Sequence, residues 1–207
     1  MYVPRPNIMS GETEMRALVA EVSAAELITT GPDGYPLATL LPIIWRADDT
    51  VIAHMARANP HWEAIAPGSP VLLVCDGPDA YISPSWYPAK AEHGRVVPTW
   101  NYSSVHLTGR VTVHDDPAWV RDAVTELVGQ HESGRPHPWH VTDAPADYID
   151  GQLRAIVGLS IRVERVEGKA KLSQNRSEPD QRGVIDGLRA EPARGCADVA
   201  DEMAARL

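Results

Sequence analysis

Apolar side chains near the start of the chain follow a helical spacing. Between residues 11 and 25 they recur three and four positions apart, as on the buried face of an amphipathic helix: Met15, Leu18, Val19 and Val22. The segments 180–189 and 195–207 also have helical patterns. Another helix is predicted over 116–132, where Asp116 supplies a side-chain oxygen for the first free amides.

Most other apolar positions fall into alternating or short continuous runs, which are typical of β-strands. The turn sequence GPDG at 31–34 separates the first two runs and predicts a β-hairpin. Segments 88–98 and 133–147 have no periodicity and are predicted to be loops. The predicted strands are 25–30, 35–45, 50–56, 69–77, 80–87, 99–114 and 155–168.

This order of elements predicts a mainly β protein with peripheral helices, an α+β barrel. The chain has 207 residues, enough to bury one sizeable core. We therefore expect a single domain over 1–207, with C-terminal helices from about residue 180. Its 43% hydrophobic and 23% charged residues are ordinary for a globular protein.

The N-terminal sequence has no secretory signal pattern, and the chain has no apolar run of membrane-spanning length. Cys75 and Cys196 are far apart and form no disulfide or metal-ligand pattern. These features predict a cytoplasmic protein that does not enter a membrane. The net charge of −9 disfavours nucleic acid as a partner. The one dense basic segment, 165–176, contains two of only three lysines.

Several sequence motifs resemble the PaiB-type family of FMN-binding negative transcriptional regulators. The resemblance runs from end to end, and the longest motifs are the most unusual ones. They are MYVPR (1–5), NPHW (59–62), GPDAYISPSWY (77–87), VPTWNYSSVHLTG (97–109), AIVGLSIRVE (155–164) and KLSQNR (171–176).

This resemblance implies a flavin-reductase-like split β-barrel that forms a homodimer around its cofactor. It also implies two alternative functions. Some PaiB-like proteins resemble haem-dependent piperazate synthases, which close a nitrogen–nitrogen bond in N5-hydroxy-L-ornithine. Others bind FMN and repress transcription.

The stretch 53–62 contains two histidines that are candidate ligands of haem iron. His61 follows Asn59, which predicts a short capped helix with His61 exposed in its first turn and projecting toward the barrel surface. His54 shares a strand face with Ile52 and is the alternative ligand, because it is equally consistent with a packed barrel histidine.

Four further groups complete the candidate cofactor site. Arg57 and Asn59 lie at a strand-to-helix connection, where a guanidinium and free amides favour an anion such as a phosphate or propionate. Trp62 belongs to the same NPHW motif. The KLSQNR segment favours a carboxylate or phosphate, although a polar loop at a subunit interface is the alternative. Its assigned residues are Ser173, Gln174, Asn175 and Arg176.

The strand starting at Thr99 has one aromatic face, which contains Trp100 and Tyr102. Either a flat cofactor or a dimer interface would suit this face. We assign Trp100 on this face and Thr99 on the opposite face to the cofactor site.

We expect the haem enzyme, a dehydrating cyclase that uses haem b and makes L-piperazic acid from a small amino-acid substrate. The acidic chain has no recognisable DNA-reading helix, and His61 is a ligand that FMN does not need. The FMN-binding regulator is the alternative. In the enzyme a base must deprotonate the substrate ammonium, and Lys171, His106 and Tyr102 are the candidates.

Overall fold

A computed structural model describes residues 1–9 and 11–207. The strands are β1 (Ala24–Thr30), β2 (Pro36–Trp45), β3 (Thr50–Ala56), β4 (Pro70–Ile82), β5 (Thr99–His114) and β6 (Ile156–Lys171). The α-helices are α1 (Glu12–Val22), α2 (Ala89–His93), α3 (Pro117–Glu132), α4 (Ala146–Arg154), α5 (Glu178–Ala190) and α6 (Cys196–Ala204). In the described part of the chain, no helix has both the length and the apolar character needed to cross a bilayer.

The predicted mainly β architecture with peripheral helices is confirmed, and most predicted elements are present. Three local predictions were wrong. Segments 69–77 and 80–82 belong to the single strand β4, because Gly77 permits close approach of the Leu18 side chain instead of making a turn. The rest of the second predicted strand forms a 3₁₀ helix at Pro84–Trp86. The predicted loops at 88–98 and 133–147 contain α2 and the first residues of α4.

The described residues group into two compact units, each made of several chain segments. The barrel unit comprises Val19–Cys75 and His106–Val166. The terminal unit comprises Met1–Leu18, Asp76–Val105 and Glu167–Leu207. The single domain over 1–207 stays a prediction.

The barrel unit contains all or part of each strand, closed in the order β1-β2-β3-β6-β5-β4. Strand β1 pairs antiparallel with β2 and β4, and β3 pairs antiparallel with β2 and β6. Alternate residues of β1 are buried, so Leu27 and Thr29 share the inner face. On β3 the fully buried Ile52 packs against Ala123 and Leu127 of α3.

In the terminal unit, α5 packs against α6. The buried side chains of the two helices include Val184, Ile185, Leu188, Val199 and Met203. Gly187 of α5 faces the Trp86 ring, and a Cβ at this position would lie 2.4 Å from that ring. The missing side chain therefore lets Trp86 lie directly on the helix surface.

Gly109 of β5 provides a test of the barrel packing. A Cβ at Gly109 would lie 2.2 Å from the Arg162 carbonyl oxygen of β6, which is backbone and cannot rotate away. We expect Gly109→Ala to lower the free energy of unfolding by about 1–3 kcal/mol in urea titration. Gly129 of α3 has open space around it, so Gly129→Ala should stabilise the protein by about 0.4–1 kcal/mol. Equal effects of the two substitutions would contradict the described packing.

Candidate functional site

In the barrel unit, His61 lies in a short 3₁₀ helix, Pro60–Ala64, whose N-cap is Asn59. The Asn59 side-chain oxygen accepts a hydrogen bond from the His61 backbone amide at 3.0 Å, as the sequence predicted for a cap. Both ring nitrogens of His61 contact threonine hydroxyls. Nε2 lies 2.7 Å from Thr29 Oγ1, and Nδ1 lies 2.8 Å from Thr39 Oγ1.

The prediction that His61 is exposed was wrong, because only 4% of the residue is accessible to solvent. Thr29 of β1 and Thr39 of β2 come together through strand pairing and enclose the imidazole between them. A buried imidazole needs hydrogen-bond partners for both nitrogens, and the two hydroxyls provide them.

The surrounding hydrogen bonds indicate which nitrogen of His61 carries the proton. Asn59 uses its oxygen for the His61 amide, so its nitrogen is the atom that donates to Thr39 Oγ1, at 3.3 Å. The Thr39 hydroxyl can then donate to Nδ1, and Nε2–H can donate to Thr29. Burial lowers the pKa of His61, which favours this neutral form.

His61 also lines a cavity of about 390 Å³ in the barrel unit. An iron ligand needs a free nitrogen lone pair, whereas both nitrogens of His61 are engaged by protein. His61 could therefore bind haem iron only if the hydroxyl of Thr29 or Thr39 turned away from its ring nitrogen. The other lining residues are Pro32, Asp33, Leu37, Ala38, Thr39, Asn59, Pro60 and Ala64.

Arg57 binds other protein groups in this structure. Its guanidinium forms an ion pair with Asp115 and donates to the backbone oxygens of Arg154, at 2.9 Å, and Ile156, at 3.2 Å. The Trp62 indole N–H donates to the Arg57 carbonyl at 2.8 Å. Arg57 and Trp62 therefore hold the connection together, and Asp115 neutralises the charge expected to attract an anion.

The alternative ligand, His54, is half-buried on β3 opposite Gly158 of β6. Its Nδ1 atom is buried without a hydrogen-bond partner among the described residues, and burial lowers the pKa of the ring. His106, a candidate base, is half-buried on β5.

The terminal unit brings together most of the predicted phosphate-binding residues around a cavity of about 300 Å³. Lys171, the last residue of β6, donates to the Thr99 hydroxyl and, at 2.7 Å, to the Trp100 carbonyl oxygen. The cavity is lined by Pro4, Pro6, Asn7, Val97, Pro98, Thr99, Asn101, Lys171, Ser173, Asn175 and Arg176.

A buried polar pair supports this cavity. Asn101 is fully buried, and its amide nitrogen donates to the Ser173 hydroxyl at 3.0 Å. Ser173 has a φ of 63°, a left-handed conformation that costs energy for a non-glycine residue. Gln174 folds back onto the backbone, accepting from the Leu172 amide at 2.7 Å, so its amide stabilises the turn. Asn101 shares a strand face with Thr99 but was not among the predicted site residues.

The cavity carries positive charge that the protein does not neutralise. In residues 1–9 and 11–207, neither Lys171 nor Arg176 has a carboxylate within ion-pair distance, although the chain has a net charge of −9. The Arg176 guanidinium carbon lies over the Tyr87 ring, 4.9 Å from the ring centre. Burial is the main cause that lowers the pKa of Lys171; Tyr102 opposes this shift, and Lys169 adds to it. A bound anion would relieve this unfavourable environment.

Adjacent residues on β5 point in opposite directions, which separates Thr99 from Trp100. Thr99 lines the positive cavity, whereas Trp100 lines a second cavity and donates from its indole nitrogen to Asp79 at 2.8 Å. The Lys169 ammonium lies over the ring of Tyr102, the residue predicted as a base, at 5.0 Å from the ring centre. The aromatic face expected to hold a flat cofactor is thus divided between two environments.

Fully and partly buried histidines make stability depend on pH. Burial is the main cause that lowers the pKa of His54, His61 and His114 below the ordinary value of 6.5. Below about pH 6.5 the unfolded chain binds more protons at these positions than the folded protein does. We therefore expect the urea midpoint to fall on acidification from about pH 7.5 to about pH 5.5. A midpoint that rises over this interval would contradict the described burial.

The comparisons with known proteins agree with the fold and the family. Residues 1–165 match the family model described as "Putative FMN-binding domain", and the chain belongs to this family. It is 32% identical over 210 residues to the Protease synthase and sporulation protein PAI 2 of Bacillus subtilis (strain 168), covering 100% of this chain and 98% of that protein.

Solved structures confirm the predicted split-barrel class. The FAD and heme binding protein from Mycobacterium smegmatis superposes with a TM-score of 0.59 and 16% identity, covering 80% of this chain and 73% of that chain. A conserved hypothetical protein from Mycobacterium tuberculosis has a TM-score of 0.60 and 14% identity, with coverages of 86% and 95%. At these identities the similarity establishes the fold alone.

Proposed function

We propose that the protein binds FMN, with the phosphate held in the positive cavity of the terminal unit. The strongest support is that Lys171 and Arg176 line one cavity without a carboxylate partner in the described chain. This is the FMN-binding alternative of the sequence analysis, and membership of the family supports it.

The cavity residues suit a phosphate dianion. Arg176 can donate two parallel hydrogen bonds to phosphate oxygens, and the Lys171 ammonium supplies a second cation. The Thr99 hydroxyl and the exposed Asn175 amide add neutral donors at the same cavity. When bound, FMN would supply one- and two-electron redox chemistry through its isoalloxazine ring.

Riboflavin distinguishes phosphate recognition from simple ring stacking, because it has the same ring without the phosphate. We expect fluorescence titration to give a dissociation constant for FMN at least about a hundredfold below that for riboflavin. Inorganic phosphate should compete with FMN. Equal affinities for FMN and riboflavin would overturn the assignment of the cavity.

We further propose a regulatory role, which the resemblance of the sequence motifs to PaiB-type regulators implies. The net charge of −9 disfavours tight contact with nucleic acid, so we propose that cofactor occupancy acts through a protein partner in the cytoplasm.

The family resemblance also leads us to propose a homodimer that completes the cofactor site. Light scattering should then give about twice the chain mass of 22.6 kDa. A monomer that retains one FMN per chain would contradict the dimer.

A haem-dependent piperazate synthase is the second candidate function. One observation favours it: burial lowers the pKa of His61, which favours the neutral imidazole that iron binding needs, and His61 lines a cavity. Against this function, iron would have to displace the Thr29 or Thr39 hydroxyl from a ring nitrogen of His61. A haem-loaded protein that converts N5-hydroxy-L-ornithine to piperazic acid would establish this function, and absence of conversion under those conditions would exclude it.

A further inference from the structure

The terminal unit contains a second cavity, of about 380 Å³, that shares no lining residue with the positive cavity. Three aromatic side chains line it: Tyr81, Trp86 and Trp100. The rings of Tyr81 and Trp100 meet at 60° with their centres 6.4 Å apart, so they form a corner. Tyr81 and Trp100 are each 49% exposed, so about half of each residue is accessible to solvent or to a ligand.

Two of these rings are held in place by the protein. The Trp100 indole N–H donates to Asp79 Oδ1 at 2.8 Å, which fixes the orientation of the ring. Trp86 lies against Gly187, where any side chain would collide with it. Rings that are already oriented lose little conformational entropy when they bind a ligand.

Charged groups of both signs line the same cavity. Asp79 and Glu191 bring negative charge, and Arg194 brings positive charge. In the part of the chain that the structure describes, Glu191 and Arg194 form no ion pair with protein groups. A ligand that carries both a cation and a carboxylate would therefore find partners for both charges.

We infer that this cavity binds a small zwitterion with an alkylated ammonium and a carboxylate, a betaine or an N-methylated amino acid. Aromatic faces attract such an ammonium through cation–π contacts, and its methyl groups need no hydrogen-bond acceptor. The carboxylates of Asp79 and Glu191 add to this attraction, and Arg194 pairs with the ligand carboxylate. The inference does not depend on FMN binding.

Three probes separate the components of this recognition by isothermal titration calorimetry. Glycine betaine carries both charges, tetramethylammonium carries only the cation, and acetate carries only the carboxylate. We expect glycine betaine to bind in the millimolar range, tetramethylammonium to bind more weakly, and acetate to give no measurable binding. Acetate binding as tightly as glycine betaine, or no binding of glycine betaine, would overturn the inference.

Two variants test the assigned groups separately. Trp100→Ala should weaken glycine betaine and tetramethylammonium by about tenfold or more. Arg194→Gln should weaken glycine betaine about tenfold but should not weaken tetramethylammonium, because it removes a like charge from the cavity. Trp139→Ala is the control, since Trp139 is an exposed tryptophan that lines neither cavity of the terminal unit. Glycine betaine affinity that is unaffected by Trp100→Ala and Arg194→Gln would overturn the assignment.

Discussion

Replacing Lys171 and Arg176 together by glutamine is expected to weaken FMN binding by about a hundredfold. Each cation contributes a hydrogen bond to a charged phosphate, worth about 1.5–3 kcal/mol, and about 1.4 kcal/mol corresponds to tenfold in affinity. Each single variant should therefore lose at least about tenfold. Fluorescence titration of the two single variants and the double variant measures these changes.

Riboflavin affinity should stay constant in the same variants, because the removed groups would contact only the phosphate. Arg182→Gln is the matched control: Arg182 is an exposed arginine of α5 that pairs with Glu178 and does not line the cavity. Loss of riboflavin and FMN binding by equal factors would indicate a general structural defect and would contradict phosphate recognition.

The second large effect concerns His61. His61→Ala should lower the free energy of unfolding by about 2–4 kcal/mol, since it leaves a cavity and removes the partner of the buried Thr29 hydroxyl. Urea unfolding monitored by circular dichroism measures the loss. His137 is exposed in a loop, so His137→Ala should change stability by no more than about 0.5 kcal/mol.

A His61→Ala variant as stable as the wild type would contradict the hydrogen bonds to Thr29 and Thr39. This expectation reverses the one drawn from an exposed helix start, for which a change of about 0.5 kcal/mol or less would follow. The measurement therefore distinguishes the buried position of His61 from the exposed one.

Residues that start or end an element, such as prolines and helix caps, made much of the fold predictable. Strand β5 was predicted with its observed ends, Thr99 and His114, because its alternation is bounded by Pro98 and by the Asp116 cap of the next helix. Helix α4 was missed because it is only nine residues long and contains Gly151, so its apolar face is too short to give a clear period.

Candidate site residues were predictable where composition was unusual. The KLSQNR segment was notable because it combines two cations, a hydroxyl and two amides within six residues, and lysines are scarce elsewhere in the chain. Four of its members line the positive cavity: Lys171, Ser173, Asn175 and Arg176. The contacts of His61 were not predictable. Thr29 and Thr39 lie 32 and 22 residues away in the chain, and only strand pairing brings them to the imidazole.

The contacts of Arg57 were not predictable from the sequence either. A guanidinium at a strand end favours an anion, but the anion here is Asp115, the residue that follows β5, which the sequence pattern did not connect with Arg57. Likewise, strand alternation placed Thr99 and Trp100 on opposite faces but did not show that each face borders its own cavity. Both outcomes depend on tertiary contacts that a local pattern does not encode.

The absorption spectrum of the protein after competition between cofactors tests the FMN assignment most directly. The purified chain is mixed with one equivalent each of FMN and haemin, desalted, and measured from the ultraviolet to the visible. We expect the paired absorption bands of a flavin in the wild-type protein. The double variant of Lys171 and Arg176 should retain less flavin per chain. A retained Soret band without flavin absorption would contradict the FMN assignment.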